Sequence, residues 1–110
     1  MVLGCTTSKF GPAHSIQEGQ SKAVERRLEL ARRYIGTGNW EDANRNLQLA
    51  LDLGPREAEV YEVFALFYQS TKELQLAEEY FTRSIRLKPN FSRARNNYAV
   101  FLYSQERYEE

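Results

Sequence analysis

The sequence predicts an all-α fold, a solenoid of antiparallel helix pairs about two and a half repeats long. Three observations carry this reading. The chain repeats every 34 residues: Ala31 recurs as Ala65 and Ala99, Tyr34 as Tyr68, Ala43 as Ala77, and Pro55 as Pro89. Within each unit, the recurring residues fall at helical spacing. Glycine and proline punctuate the units where a helix pair has to turn.

The first helix of the first unit places Arg27, Leu30, Ala31 and Tyr34 three, four and seven residues apart, on one face. Tyr61, Phe64, Ala65 and Tyr68 copy that face, and Arg95, Tyr98, Ala99 and Leu102 copy it again. The second helix carries Ala43, Leu47, Ala50 and Leu51 in the first unit, matched by Ala77, Phe81, Ser84 and Ile85 in the second. Small residues at Ala31 and Ala43 let two helices approach, and Leu30, Tyr34 and Leu47 fill the space beside them. The turn Gly36-Thr37-Gly38-Asn39 stops the first helix. Asn39 then caps the second, with Asp42 in its first turn to complement the helix dipole. Gly54-Pro55 and Lys88-Pro89 end the second helices, because proline cannot continue the hydrogen-bond ladder. The third unit has a first helix from Ser92 to about Ser104, a turn at Gln105-Glu106-Arg107, and the start of a second helix at Tyr108. The expected organisation is a tail over 1–23, repeats over 24–57 and 58–91, and a shortened third repeat over 92–110.

Composition fits one domain. The chain has 110 residues, 42% of them hydrophobic, with 15 basic and 15 acidic side chains. That balance argues against a general nucleic-acid binder, which needs a basic excess to displace counterions. One cysteine and one histidine allow neither an internal disulfide nor a metal site of sensible spacing, so no cofactor is expected. An enzyme is not expected either, since no nucleophile, base and acid constellation or phosphate loop can be built from these residues.

The pattern W-x2-L-G-x2-Y, then A-x3-F, then P identifies the chain, from Val24 to its end, as resembling the tetratricopeptide repeat (TPR) family. It departs from that pattern where Arg27, Tyr61 and Arg95 stand in for tryptophan, and where alanine replaces the favoured glycine. The resemblance implies an αα-superhelix that binds other proteins. Arg26 and Arg33 lie on the face that would receive a preceding repeat, where later units have Val60 and Phe67, then Ala94 and Phe101. A charged start is expected of an N-terminal cap. The other end is expected to be cut inside its third repeat. That would leave Tyr98, Ala99 and Leu102 short of cover and favour weak self-association.

Val2-Leu3-Gly4-Cys5 resembles a bacterial lipobox, with Thr6 after the cysteine. In Gram-negative members of that class, a residue other than aspartate at this place goes with sorting to the outer membrane. Cys5 is therefore the lipidation candidate, and 6–20 would be a polar tether. A working signal peptide needs a basic start and a longer apolar run than Met1-Val2-Leu3 supplies. A stray cysteine in a disordered tail is the other reading. Asn96 through Tyr103, followed by Gln105 through Glu110, resembles the third-repeat segment of the type IV pilus biogenesis lipoproteins, the PilF/PilW family. This resemblance implies a lipid-anchored scaffold on the periplasmic face of the outer membrane, with a secretin or another pilus assembly component as partner. A cytosolic TPR adaptor or co-chaperone-like scaffold unrelated to pili is the alternative, and follows if Met1 is the true start.

Equivalent positions on the first helices line one concave groove. The first unit offers Glu25, Leu28, Arg32 and Ile35; the second Glu59, Glu62, Leu66 and Gln69; the third Arg93, Asn96, Val100 and Tyr103. A mixed charged and apolar groove suits an extended or helical peptide. A clamp for a C-terminal carboxylate is not expected, because Leu28, Arg32 and Val63 stand where it would want lysine or asparagine. Asn97 is expected to serve local helix contacts. Arg83, Arg86, Lys88, Arg93 and Arg95 form a basic stretch with no acid inside it. Solvated surface is the plain reading of such a run; contact with anionic lipid or an acidic partner is the alternative.

Overall fold

The computed structural model describes the backbone of residues 2–105 and the side chains of residues 19–105. Among the described residues five helices follow one another: α1 (Val2–Thr37), α2 (Trp40–Leu53), α3 (Ala58–Ser70), α4 (Leu74–Leu87) and α5 (Ser92–Ser104). α1 pairs with α2 and α3 with α4, while α3 packs on both helices of the first pair and α5 packs on both of the second. No strand occurs among the described residues.

The helix ends follow from local chemistry. Asn39 caps α2, its side chain accepting from the Asp42 backbone N–H at 3.3 Å. Gly38 has φ 76°, which lets the Asn39 N–H reach the Tyr34 carbonyl at 2.9 Å and close α1. Lys72 adopts the same left-handed conformation at φ 69°, and Glu73 bonds Tyr68 at 2.8 Å in the same way. One turn geometry is thus made once with glycine and once without. At the other end of the pairs, Gly54 bonds back to Ala50 and Lys88 to Ser84. Gly54 is required by close approach rather than by its dihedrals. A Cβ there would stand 2.7 Å from Glu57 Cγ and 3.0 Å from Val24 Cγ2.

The core grows from the small residues. Ala31, Ala43, Leu47 and Ala50 are fully buried between α1 and α2. Val24 and Leu28 join Val60, Val63, Phe64 and Phe67 across the junction of the first and second pairs. Ala65, Ala77, Phe81 and Phe101 form the second cluster. Val60, Phe67, Ala94 and Phe101, expected to receive the preceding repeat, are all buried. Ala99 is exposed, although its equivalents Ala31 and Ala65 are fully buried. Tyr98 is held on its side chain, stacking on Phe81 at 5.6 Å and donating to Glu78 at 2.9 Å.

The backbone is helical from Val2 and runs unbroken into the first repeat helix. Gln17, Glu18, Gln20, Lys22 and Ala23 are good helix formers. The one glycine among them, Gly19, costs a helix only about 1 kcal/mol, too little to stop it. The side chains as far as residue 18, including that of Cys5, lie outside the described residues, as do the turn beyond Gln105 and Tyr108. No helix among the described residues is long and apolar enough to cross a membrane.

Candidate functional site

α1, α3 and α5 are the first helices of successive units, and their groove-facing side chains meet in one charged cluster. Glu62 of α3 is its centre, with no exposed side-chain surface. Arg32 of α1 donates to Glu62 Oε1 at 2.7 Å, and Arg93 of α5 lies 3.4 Å from the same oxygen. Asn97 of α5 donates to Oε2 at 2.8 Å. Glu59, one turn earlier on α3, pairs with Arg93 and lies 3.6 Å from Arg32. A buried carboxylate is tolerable only when its charge and lone pairs are satisfied. Glu62 meets that condition with partners from both flanking repeats. No buried side-chain nitrogen or oxygen among the described residues lacks a hydrogen-bond partner.

This arrangement corrects the expectation for Glu62. It is not a free groove probe but a fully buried anchor for three helices. Leu28, its equivalent in the first unit, is also part of the core and only borders the groove floor. In both cases the first helix of the following unit lies over that position. Asn96, the third residue of the same column, is exposed. The signal was available in the sequence: an apolar residue at Leu28 marks a column that repeat stacking covers. Asn97, expected to serve local helix contacts, instead reaches across to Glu62 of the preceding repeat.

The remaining predicted residues line the groove to different depths. Glu25 and Asn96 are exposed, and Leu66 and Gln69 are half-buried. Arg32 and Arg93 keep 33% and 48% of their side chains accessible while bonded to the acids. Val100 and Tyr103 are 64% and 69% exposed, the most open large apolar residues described. Glu25, Leu28, Glu29, Arg32 and Glu59 border an open depression of about 350 Å³ at the α1 end of the groove. The groove thus has an acidic end at α1, a neutralised centre, and an open aromatic and aliphatic end at α5. That surface can take an elongated polypeptide.

The residues at the tryptophan position divide by context. Tyr61 donates to the Pro55 carbonyl at 2.6 Å, and Arg95 donates to the Pro89 carbonyl. Arg27 donates instead to Asn46 Oδ1 at 3.2 Å. Trp40 and Tyr80 pack on other rings: Trp40 meets Phe67 edge-on at 6.3 Å, and Tyr80 stacks on Phe64 at 5.1 Å.

Comparison with known proteins agrees with the repeat geometry. The tetratricopeptide repeat family model matches residues 28–90 and 68–110. The type IV pilus assembly protein PilF of Pseudomonas aeruginosa is 33% identical over 109 residues, 99% of this chain and 43% of its own length. A solved structure described as the functional characterization of Pseudomonas aeruginosa pilF superposes with a TM-score of 0.78 at 33% identity. That match covers 83% of this chain and 41% of the other. The chain therefore spans less than half the length of the relatives it matches.

Proposed function

The chain belongs to the tetratricopeptide repeat family, and from that premise we propose that it is a non-enzymatic scaffold that helps assemble type IV pili, anchored to the outer membrane through lipid on Cys5. The observation that carries the reading is the likeness to the pilus assembly protein along almost the whole chain. The groove gives it a mechanism. Side-chain contacts from α1, α3 and α5 would hold an extended or helical segment of a pilus component, the secretin being the first candidate. The Glu62 cluster keeps the three helices at fixed spacing, so the groove is preformed and binding orders little of the scaffold.

Two measurements test the proposal. The first expresses the gene with its complete upstream sequence in a Gram-negative host fed a fatty-acid probe. Label on the wild type and none on Cys5→Ser is expected; an unlabelled cytosolic wild type refutes the anchor and leaves a cytosolic adaptor. The second captures the secretin on wild-type protein and on Glu25→Lys/Tyr103→Ala. These residues are exposed and stand outside the buried clusters, so helicity should be unchanged while capture falls. Equal capture by both proteins would remove the groove from the reading.

A further inference from the structure

We infer that the turn between α4 and α5 is a second docking surface, fitted to a protein segment that carries carboxylates beside an aromatic or aliphatic side chain. The sequence from Tyr80 to Gln105 has five cationic residues and no acid. Folding neutralises two of them: Arg83 pairs with Glu79 at 3.0 Å, and Arg93 pairs with Glu59 and Glu62. Arg86, Lys88 and Arg95 are exposed and have no acidic partner among the described residues. They concentrate around the Pro89-Asn90 turn, where Arg95 is tied to the Pro89 carbonyl.

The surface is more than a charge run. Phe91 is held between two cations, with Lys88 Nζ 5.3 Å and the Arg93 guanidinium 5.2 Å from its ring centre. Beside it lies a shallow pocket of about 170 Å³, lined by Glu57, Ala58, Glu59, Lys88, Phe91 and Arg93. Leu87, next to Lys88, is 44% exposed. The Phe91 ring offers one wall to an apolar side chain, and Arg86, Lys88 and Arg95, which have no acidic partner among the described residues, take the carboxylates around it. An anionic bilayer fits less well. Pressed flat against this edge, it would meet Glu57 and Glu59, whereas a polypeptide can direct its acids toward Arg86, Lys88 and Arg95 alone.

The test measures fluorescence anisotropy of the whole chain with a short labelled peptide of alternating aspartate and phenylalanine. Wild type should bind, more weakly as salt rises. Arg86→Glu/Lys88→Glu should lose about tenfold or more in affinity, and the milder Arg86→Gln/Lys88→Gln a smaller part of it, with unchanged circular dichroism. A serine-for-phenylalanine peptide should bind about tenfold more weakly, because the pocket is then unfilled. No binding by wild type, equal binding by the variants, or equal binding of the serine peptide each overturns the proposal. Co-sedimentation with phosphatidylglycerol vesicles without peptide binding would assign the edge to a membrane surface instead.

Discussion

Tyr61 and Arg95 occupy the same repeat position and donate to the same acceptor, the carbonyl oxygen of the proline six residues earlier. Their chemistry differs, yet a phenol and a guanidinium each reach the loop that precedes their own helix. The bond ties the end of one helix pair to the start of the next. It takes over a role that the family's usual tryptophan, an N–H donor on a large ring, can also fill.

Removing the Tyr61 hydroxyl should therefore cost stability without disturbing packing. Tyr61→Phe keeps the ring stacked on Tyr80 at 6.0 Å and leaves the Pro55 carbonyl without this donor. A loss of about 1 kcal/mol is expected in urea unfolding. Arg95→Ala, at an exposed site where water can replace the donor, should cost about half as much or less. Equal losses at the two sites would show that burial does not decide the cost.

The Glu62 cluster should be asymmetric under mutation. Arg32→Met/Arg93→Met leaves a fully buried carboxylate with only Asn97 for a partner. A loss of about 3 to 5 kcal/mol is expected for that double variant. Glu62→Met instead frees two arginines that already reach solvent, and should cost about 1 to 2 kcal/mol. Chemical denaturation of the two proteins decides it, and a larger loss for Glu62→Met would contradict the burial argument.

Lys72 offers a stabilising change. Its φ of 69° is the conformation that Gly38 adopts freely in the preceding unit. Lys72→Gly is expected to raise stability by about 0.5 to 1 kcal/mol, because relief of the left-handed strain exceeds the added chain entropy. Gly38→Ala should lower it by about 1 kcal/mol. Thermal midpoints moving in the same direction for both variants would refute the shared-turn account.

Tyr68 should make stability fall at high pH. Burial, then Tyr80, Glu73 and Glu79, raises its hydroxyl pKa above the ordinary 10.0. The folded chain thus keeps a proton that the unfolded chain has already released. The resulting stability is complete below the unfolded value and is lost as pH rises through the folded one. Between about pH 8 and pH 10.5, wild type should lose more stability than Tyr68→Phe. Parallel losses measured by urea midpoint would exclude Tyr68 as the source.

The period, the helix pairs, the alanines at their crossings and the cap at Asn39 are all legible in the order of residues. All of these are local or periodic, so helical spacing and turn chemistry suffice to read them. The groove columns on α1, α3 and α5 are an expectation drawn from the same spacing. Which members of a column reach solvent was decided only by tertiary structure. Leu28 and Glu62 share one register and both are buried, because cover comes from the helix of the following unit. Arg32 and Glu62 are separated by 30 residues in the chain. Their meeting depends on the stagger between stacked units, which no one unit's pattern encodes. The left-handed turn at Lys72 has the same origin. Both units turn between their helices at the same place in the 34-residue period, and the backbone adopts the same connection although the residue there disfavours it.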